Sequence, residues 1–381
     1  HVVEPSAAFP PLFTLVLAVP SAVGLQSFLA HRLWCCLVGA LAVPLAAAMG
    51  RRLGGGRTGI VAAALTAVYP NLWMADALGM SETLSPVLVL AVLLLAYRVR
   101  DRRTSSAALW LGLMIGVAAL GRDELALLCV LVLLPLTLAR RMGPMRHRLQ
   151  LLVVGGLAAA FAVAPVVAFN LSRFDRPVYI SDGLGVTLAS ANCPLTYHGP
   201  TTGYWAMACA VAAPVDPRAD ESVQGAEAQS YAVAFIRHHA GDLPRLTFER
   251  LGRAFGFYHP LQQVHLDALL ESRPRRWALS GLGMYYGLAA LSVGGVVVLR
   301  RRRLPVFPLL AIGADVAVSV ALTFGQTRYR STFEVSLVLL AAVAVDALVR
   351  RHYGLSRYRP DGHDAREGEI GGAAAPAAAQ R

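Results

Sequence analysis

An all-α, polytopic helical membrane protein is the fold that three features of this sequence predict. Apolar runs of about 15 to 22 residues recur along the chain, the length a helix needs to cross a bilayer. Charged residues make up only 15% of the 381, against about 25% in a soluble domain, and mean hydropathy is positive at +0.53. The charges that remain gather between the apolar runs. The sequence holds no lysine, so arginine supplies all 35 cationic residues and a net charge of +12. A basic balance of that size raises nucleic acid as a partner. Arginines placed between hydrophobic runs, rather than along one soluble face, exclude it. The partner they imply is the lipid bilayer.

In chain order, the opening "HVVEPSAAFPPLF" reads as the end of a loop with no signal peptide, and a preceding piece is expected to be missing. Segment 11–25, with Pro20 inside it, is too short for a clear span and is expected to lie in the membrane interface. If it crosses, the parity at that end changes. The spans are read at 28–49, 58–75, 83–97, 104–121, 125–139, 149–169, 276–299, 304–323 and 332–349. Every second connection between them is strongly basic. These hold Arg51, Arg52 and Arg57; Arg98, Arg100, Arg102 and Arg103; Arg140, Arg141, Arg146 and Arg148; Arg300 to Arg303; and Arg350, Arg351, Arg357 and Arg359. The positive-inside rule puts this set, and the C-terminus, in the cytoplasm. The expected location is the cytoplasmic membrane, with the chemistry on its outer face.

The divisions that follow are 1–169, an N-terminal membrane region; 170–274, an external loop domain; 275–350, a C-terminal membrane region; and 351–381, a tail disordered by composition. The 170–274 domain carries 10 acidic and 8 basic residues. Its stretches 220–239 and 243–257 read as amphipathic helices, with Pro217 and Pro244 near their starts. Cys193 and Cys209 lie in this domain, where an oxidising compartment permits a disulfide, and a bridge between them is expected. Cys35, Cys36 and Cys129 fall in spans and read as small buried apolar residues. No CxxC or His cluster suggests a metal, and neither metal nor cofactor is expected.

Three outer connections bring ionisable groups to membrane depth. The first holds Asp76 and Glu82, the latter in the first turn of the next run, where a helix cap is the plain alternative. The second holds Arg122, Asp123 and Glu124 between short runs; charges at that depth point to function, or else to a self-neutralising ion pair. The third, "TFGQTRYRSTFEV", holds Arg328, Tyr329, Arg330 and Glu334. Two guanidiniums there suit a phosphate, which arginine grips with two hydrogen bonds. The alternatives are snorkelling to lipid head groups and an internal pair with Glu334 one turn on.

Five stretches resemble one family. "FPPLF" at 9–13, "YPNLWMADALGMSETL", "GVAALGRDELALLCVLVLLPL", "ANCPLTYHGPTTGYWAMAC" and "GQTRYRSTFEVSLVLLAA" are similar, in that order, to parts of the polytopic GT-C glycosyltransferases. The group is family 39, ArnT-like and protein mannosyltransferase-like, in an actinobacterial-type branch. The resemblance implies a hexosyl or pentosyl transferase that takes its sugar from a polyprenyl-phosphate donor, with inversion, and hands it to a protein, glycolipid or polysaccharide acceptor. It implies Glu82 as a second acidic position that orients acceptor or base. It also implies Arg122, Arg328 and Arg330 as contacts to the donor phosphate, and Tyr258 and His259, with Asp123, Glu124 and Tyr329, as pocket residues. The main base of the family stands in the first outer loop, of which only Glu4 remains, so this chain is expected to be inactive as it stands. The competing readings are a transporter or flippase and a non-catalytic binder of polyprenyl-linked lipid. A transporter would favour an internal repeat and midplane charges, and neither is evident in the sequence.

Overall fold

A computed structural model describes residues 6–354, and every regular element among them is helical. Glu4 and the tail beyond 354 lie outside the described residues. Five helices are long and apolar enough to cross a membrane: Phe28–Gly54, Ser81–Arg102, Met145–Leu171, Arg275–Arg301 and Thr327–His352. Gly56–Val68 and Pro70–Leu78 make a sixth candidate, bent by 48°. The runs expected at 104–121 and 304–323 form shorter helices, Ser105–Gly121 and Phe307–Leu322, each about 25 Å long at 1.5 Å per residue. Pro11–Ala22 is shorter still, at about 18 Å against an apolar thickness of about 30 Å.

The run expected as one helix at 125–139 is irregular instead. A tight 3₁₀ stretch Asp123–Leu127 gives way to a wide π turn, Cys129–Leu133, and then to Leu134–Leu138. Pro135 supplies the reason. It has no N–H to give and its ring crowds the carbonyl four residues back, so the ladder opens just before it.

Small residues bring the helices together. A Cβ on Gly112 would strike the carbonyl oxygen of Gly155, and one on Gly116 that of Ala159. Both pairs are spaced by four, one turn apart on each helix. Apolar side chains gain little from leaving lipid for protein, so close backbone approach drives this pairing. Gly295 meets the Leu340 carbonyl in the same way, seating Arg275–Arg301 on Thr327–His352. The latter is the central helix: Val335 and Val338 to Val343 are buried almost completely. Met145–Leu171 is peripheral, with Leu149, Val153, Leu157 and Phe161 exposed.

The basic connections share one end of the bundle. Arg52 pairs with Asp101, Arg57 and Arg350 both reach Asp346 at 3.8 and 2.7 Å, and Arg302 donates to the Leu53 carbonyl at 3.4 Å. At the other end stands the segment between Leu171 and Arg275. Helices Glu221–His238 and Leu243–Ala254 occupy the two amphipathic stretches, the first capped by Asp220, whose carboxylate accepts from the Ser222 N–H at 2.9 Å. Further helices, among them Leu184–Ala191 and Pro260–Leu270, were not anticipated from the pattern. Cys193 and Cys209 are joined by a disulfide; of the three cysteines expected to be buried in spans, only Cys35 is, since Cys36 faces outward from its helix and Cys129 is half-buried. The segment is tied down through Arg250, which donates to the Ala321 carbonyl at 3.2 Å, and Gly325, whose N–H donates to the Gly203 carbonyl at 2.8 Å.

Candidate functional site

Three hairpins and the end of the 172–274 segment meet at this second end. Helix Pro70–Leu78 stops at Gly79, whose left-handed φ of 69° lets the chain reverse. One tight turn later Glu82 enters Ser81–Arg102, 4% exposed. Helix Ser105–Gly121 stops at Arg122, which is extended, with φ −153° and ψ 122°. Arg122 donates to Glu124 at 2.6 Å and to Glu82 at 3.2 Å. The third hairpin leaves Phe307–Leu322 through Gly325, where a Cβ would collide with the Arg250 backbone. It then forms the 3₁₀ turn Thr327–Arg330. Arg328 Nε sits 3.6 Å from the same Glu82 oxygen that Arg122 holds, and 3.8 Å from Glu271. Glu271 in turn pairs with Arg273 at 2.6 Å.

The result is a chain of alternating charges: Glu124, Arg122, Glu82, Arg328, Glu271, Arg273. Tyr329 lies alongside, its ring centre 5.2 Å from the Arg122 guanidinium and 6.0 Å from that of Arg328, within cation–π reach. Glu82 and Arg122 are buried, whereas the Arg328 side chain is 32% exposed. Arg328 is thus the cation of the three that an incoming group can touch. Burial pushes the Glu271 carboxyl above its usual range, against the pull of Arg273, and burial does the same to Asp267.

Arg330 does not join this chain. It is 1% exposed, bonds Glu334 at 2.7 Å and the Ala254 carbonyl at 2.9 Å, and lies 3.5 Å over the Tyr285 ring. Glu334 also accepts from Asn71 at 3.0 Å. In a turn of three residues per revolution, positions two apart leave on different sides, so Arg328 and Arg330 diverge. Asp123 is also drawn elsewhere, accepting from the Ser181 hydroxyl and so fastening the second hairpin to the segment above it. Tyr258 meets the Thr202 hydroxyl at 3.3 Å, and His259, at a left-handed φ of 44°, begins helix Pro260–Leu270. Both stand in the turn after Ala254, beside a small cavity that Arg330 lines, rather than at Glu82.

Glu271, Arg273 and Gln326, which donates to Glu271, were not singled out from the sequence. Their signal was an acid at 267 and again at 271, one turn apart, followed by Arg273 at the foot of a span. Asp315 was also missed: it is fully buried in Phe307–Leu322 and neither of its oxygens is hydrogen-bonded. Among the described residues no group of three His, Cys, Asp or Glu side chains gathers to hold a metal.

Residues 8–169 match the family model described as dolichyl-phosphate-mannose-protein mannosyltransferase, so the resemblance read from the motifs holds over that part of the chain. Among curated proteins none matches. The fold aligns with the oligosaccharyltransferase of Archaeoglobus fulgidus in its apo form, at a TM-score of 0.48 and 13% identity, over 90% of this chain and 43% of that one. The archaeal oligosaccharyltransferase AglB from Archaeoglobus fulgidus, in complex with an inhibitory peptide and a dolichol-phosphate, aligns at the same TM-score and identity, over 92% and 44%. ArnT from Cupriavidus metallidurans bound to undecaprenyl phosphate aligns at 0.32 and 16% identity, over 91% and 69%. This chain therefore spans less than half the length of either archaeal chain.

Proposed function

We propose that this chain, whose residues 8–169 match the dolichyl-phosphate-mannose-protein mannosyltransferase model, is a membrane glycosyltransferase that takes its sugar from a polyprenyl-phosphate donor. One observation supports this most: cations from two separate hairpins, Arg122 and Arg328, converge on Glu82 at the edge of the bundle. A lipid tail among the helices would place its phosphate at that edge.

In the reaction, the acceptor hydroxyl attacks the anomeric carbon from the face opposite the phosphate and gives its proton to a carboxylate base, which the family resemblance puts in the first outer loop and which the full-length protein must supply. The carbon–oxygen bond to the phosphate breaks, its electron pair stays on the leaving phosphate, and the configuration inverts. Charge grows on that phosphate as it departs. A guanidinium already in place stabilises it without having to reorganise, and exposed Arg328 is the group to do so. A phosphate leaving group needs no protonation. Glu82 acts as counter-ion rather than base, because two guanidiniums share its Oε1. It positions Arg122 and Arg328, and Tyr329 packs beside both.

The test is transfer from polyprenyl-phosphate sugars by the full-length protein in membranes. Arg328→Ala removes one charge-assisted hydrogen bond to the departing phosphate. A net worth of about 1.5–3 kcal/mol predicts a loss of about 10- to 150-fold in kcat/KM, with expression unchanged because Arg328 is partly exposed. Undiminished transfer by this variant would remove Arg328 from the mechanism. Equal use of nucleotide-linked sugars would remove the lipid donor.

A further inference from the structure

The hairpin of helices Ala42–Gly54 and Gly56–Val68 carries a groove on its outer side. The two helices cross in close contact. A Cβ on Gly50 would lie 2.9 Å from the Thr58 carbonyl oxygen, and one on Gly59 2.7 Å from that of Ala47. Beside the crossing the surface stays hollow, because Ala47, Gly59, Ala63 and Ala67 line it and offer at most a methyl group. The hollow measures about 520 Å³, within the range of about 300–1,000 Å³ that ligand sites occupy. Ile60 and Ala67 on its lining are exposed, so it opens to the membrane. Its length matches one leaflet. From Gly56 to Ala67 the helix rises about 16 Å at 1.5 Å per residue, and half of a bilayer's apolar thickness is about 15 Å. Gly56 follows the turn at the basic end of the bundle, so the groove runs from that headgroup level toward the midplane.

Arg51 marks that end of the groove. Three arginines stand at this tip of the hairpin. Arg52 pairs with Asp101 and Arg57 with Asp346, whereas Arg51 has no carboxylate partner among the described residues. Its stem lies across the partner helix: a Cβ on Gly59 would meet Arg51 Cγ at 2.5 Å. The side chain is exposed, so the guanidinium is left at headgroup depth above an apolar hollow. A second helix closing on Gly59 and Ala63 would have to displace this stem and bury a cation that meets no acid, which is costly. A lipid does neither. Its chain fills the hollow and its phosphate reaches the guanidinium, which binds such a group with two hydrogen bonds. We propose that this groove binds an anionic phospholipid of the leaflet at the basic end, with one acyl chain along Gly59, Ala63 and Ala67 and the phosphate on Arg51. The net charge of the head selects it, because a zwitterionic lipid carries its own cation beside the phosphate and needs Arg51 less. The site stands at the opposite end of the bundle from Glu82, and it does not depend on the glycosyltransferase reading.

The full-length protein, delipidated in detergent, is given equal amounts of dioleoyl phosphatidylglycerol and dioleoyl phosphatidylcholine, and retained lipid is counted by native mass spectrometry. The wild type should keep phosphatidylglycerol about fivefold more often than phosphatidylcholine, the preference one arginine gives for an anionic head. Arg51→Gln should bring that ratio close to one. Ala63→Leu/Ala67→Leu, which fills the hollow, should reduce retention of both lipids. Arg146→Gln removes another exposed arginine at the same end, outside the groove, and should keep the wild-type ratio. Arg51→Gln changes an exposed side chain and leaves the fold intact, so it decides the matter even if the filled variant fails to fold. Equal retention of the two lipids by the wild type overturns the site. An Arg146→Gln variant as damaging as Arg51→Gln also overturns it, since the preference then belongs to the basic surface at large. A dimer that persists with lipid present and is lost in Ala63→Leu/Ala67→Leu gives the groove to a second copy of the chain and overturns the lipid.

Discussion

Replacing Glu334 by glutamine should damage this protein far more than the same change at Glu82. Both acids are buried, at 1% and 4% exposure, and both face arginine. The difference is in what remains. Among the described residues Glu334 is the only carboxylate paired with Arg330, and Arg330 is itself 1% exposed. Glu334→Gln keeps an oxygen for Asn71 but strands a buried cation, at a cost of about 3–5 kcal/mol. Glu82→Gln strands nothing: Arg122 keeps Glu124 at 2.6 Å, and Arg328 keeps Glu271 and some water. Its cost is about 1–3 kcal/mol, that of one charged hydrogen bond. Thermal unfolding of the purified protein in detergent at pH 7 reads the order. The double variant Arg330→Met/Glu334→Leu, which removes both charges, should recover most of the loss. The reasoning fails if Glu82→Gln is as harmful as Glu334→Gln, or if the double variant is no better than the single one.

Gly112→Ala forces a methyl onto the Gly155 carbonyl and should cost about 1–3 kcal/mol. Gly156→Ala, with open space around its Cβ position, should fall within about 0.5 kcal/mol of wild type; equal effects by thermal unfolding would deny the close helix contact. Asp182, in the 172–274 segment, has its carboxyl pushed up to about 6, by burial first and then by Glu221 and Asp220. Its unfolded value is about 3.9, so the fold disfavours the charged form. The penalty is full above pH 6 and gone below pH 4. Asp182→Asn should therefore be more stable than wild type at pH 7.5 and equal to it by pH 4, and a gap that persists at pH 4 refutes the assignment.

The membrane helices were legible because the bilayer demands an unbroken apolar run, and that demand is written into composition. Where backbone geometry intervenes, composition is silent: the run at 125–139 looks like its neighbours until Pro135 opens a π turn. Much of the charged site was legible for a related reason. Glu82, Arg122 and Arg328 each stand at the end of an apolar run, where an ionised group needs a partner. Arg330 looked equivalent to Arg328, since the side of a turn on which a residue leaves is set by a few degrees of φ and ψ. Glu271 and Arg273 were hidden by company. In a polar segment a charge pair is unremarkable, and only the docking of that segment onto the hairpins turns it into part of the site.

That docking sets up a pH dependence in the proposed reaction. Within the chain from Glu124 to Arg273, the pairs around Arg122 and Arg273 are short, at 2.6 to 3.2 Å, while Arg328 stands 3.6 and 3.8 Å from its two acids. Its Nε makes no hydrogen bond, so Arg328 yields to a phosphate at the lowest cost. An arriving phosphodiester must still approach the charge of Glu271. The Glu271 carboxyl titrates above the usual glutamate range because it is buried, so lowering the pH neutralises it in the free enzyme before ordinary glutamates. Donor KM should fall as pH drops through that titration, and Glu271→Gln should hold the low-pH KM throughout. The sign cannot reverse, because removing a negative neighbour can only favour an anion at Arg328. A Glu271→Gln enzyme whose donor KM keeps the wild-type pH profile would place the phosphate elsewhere.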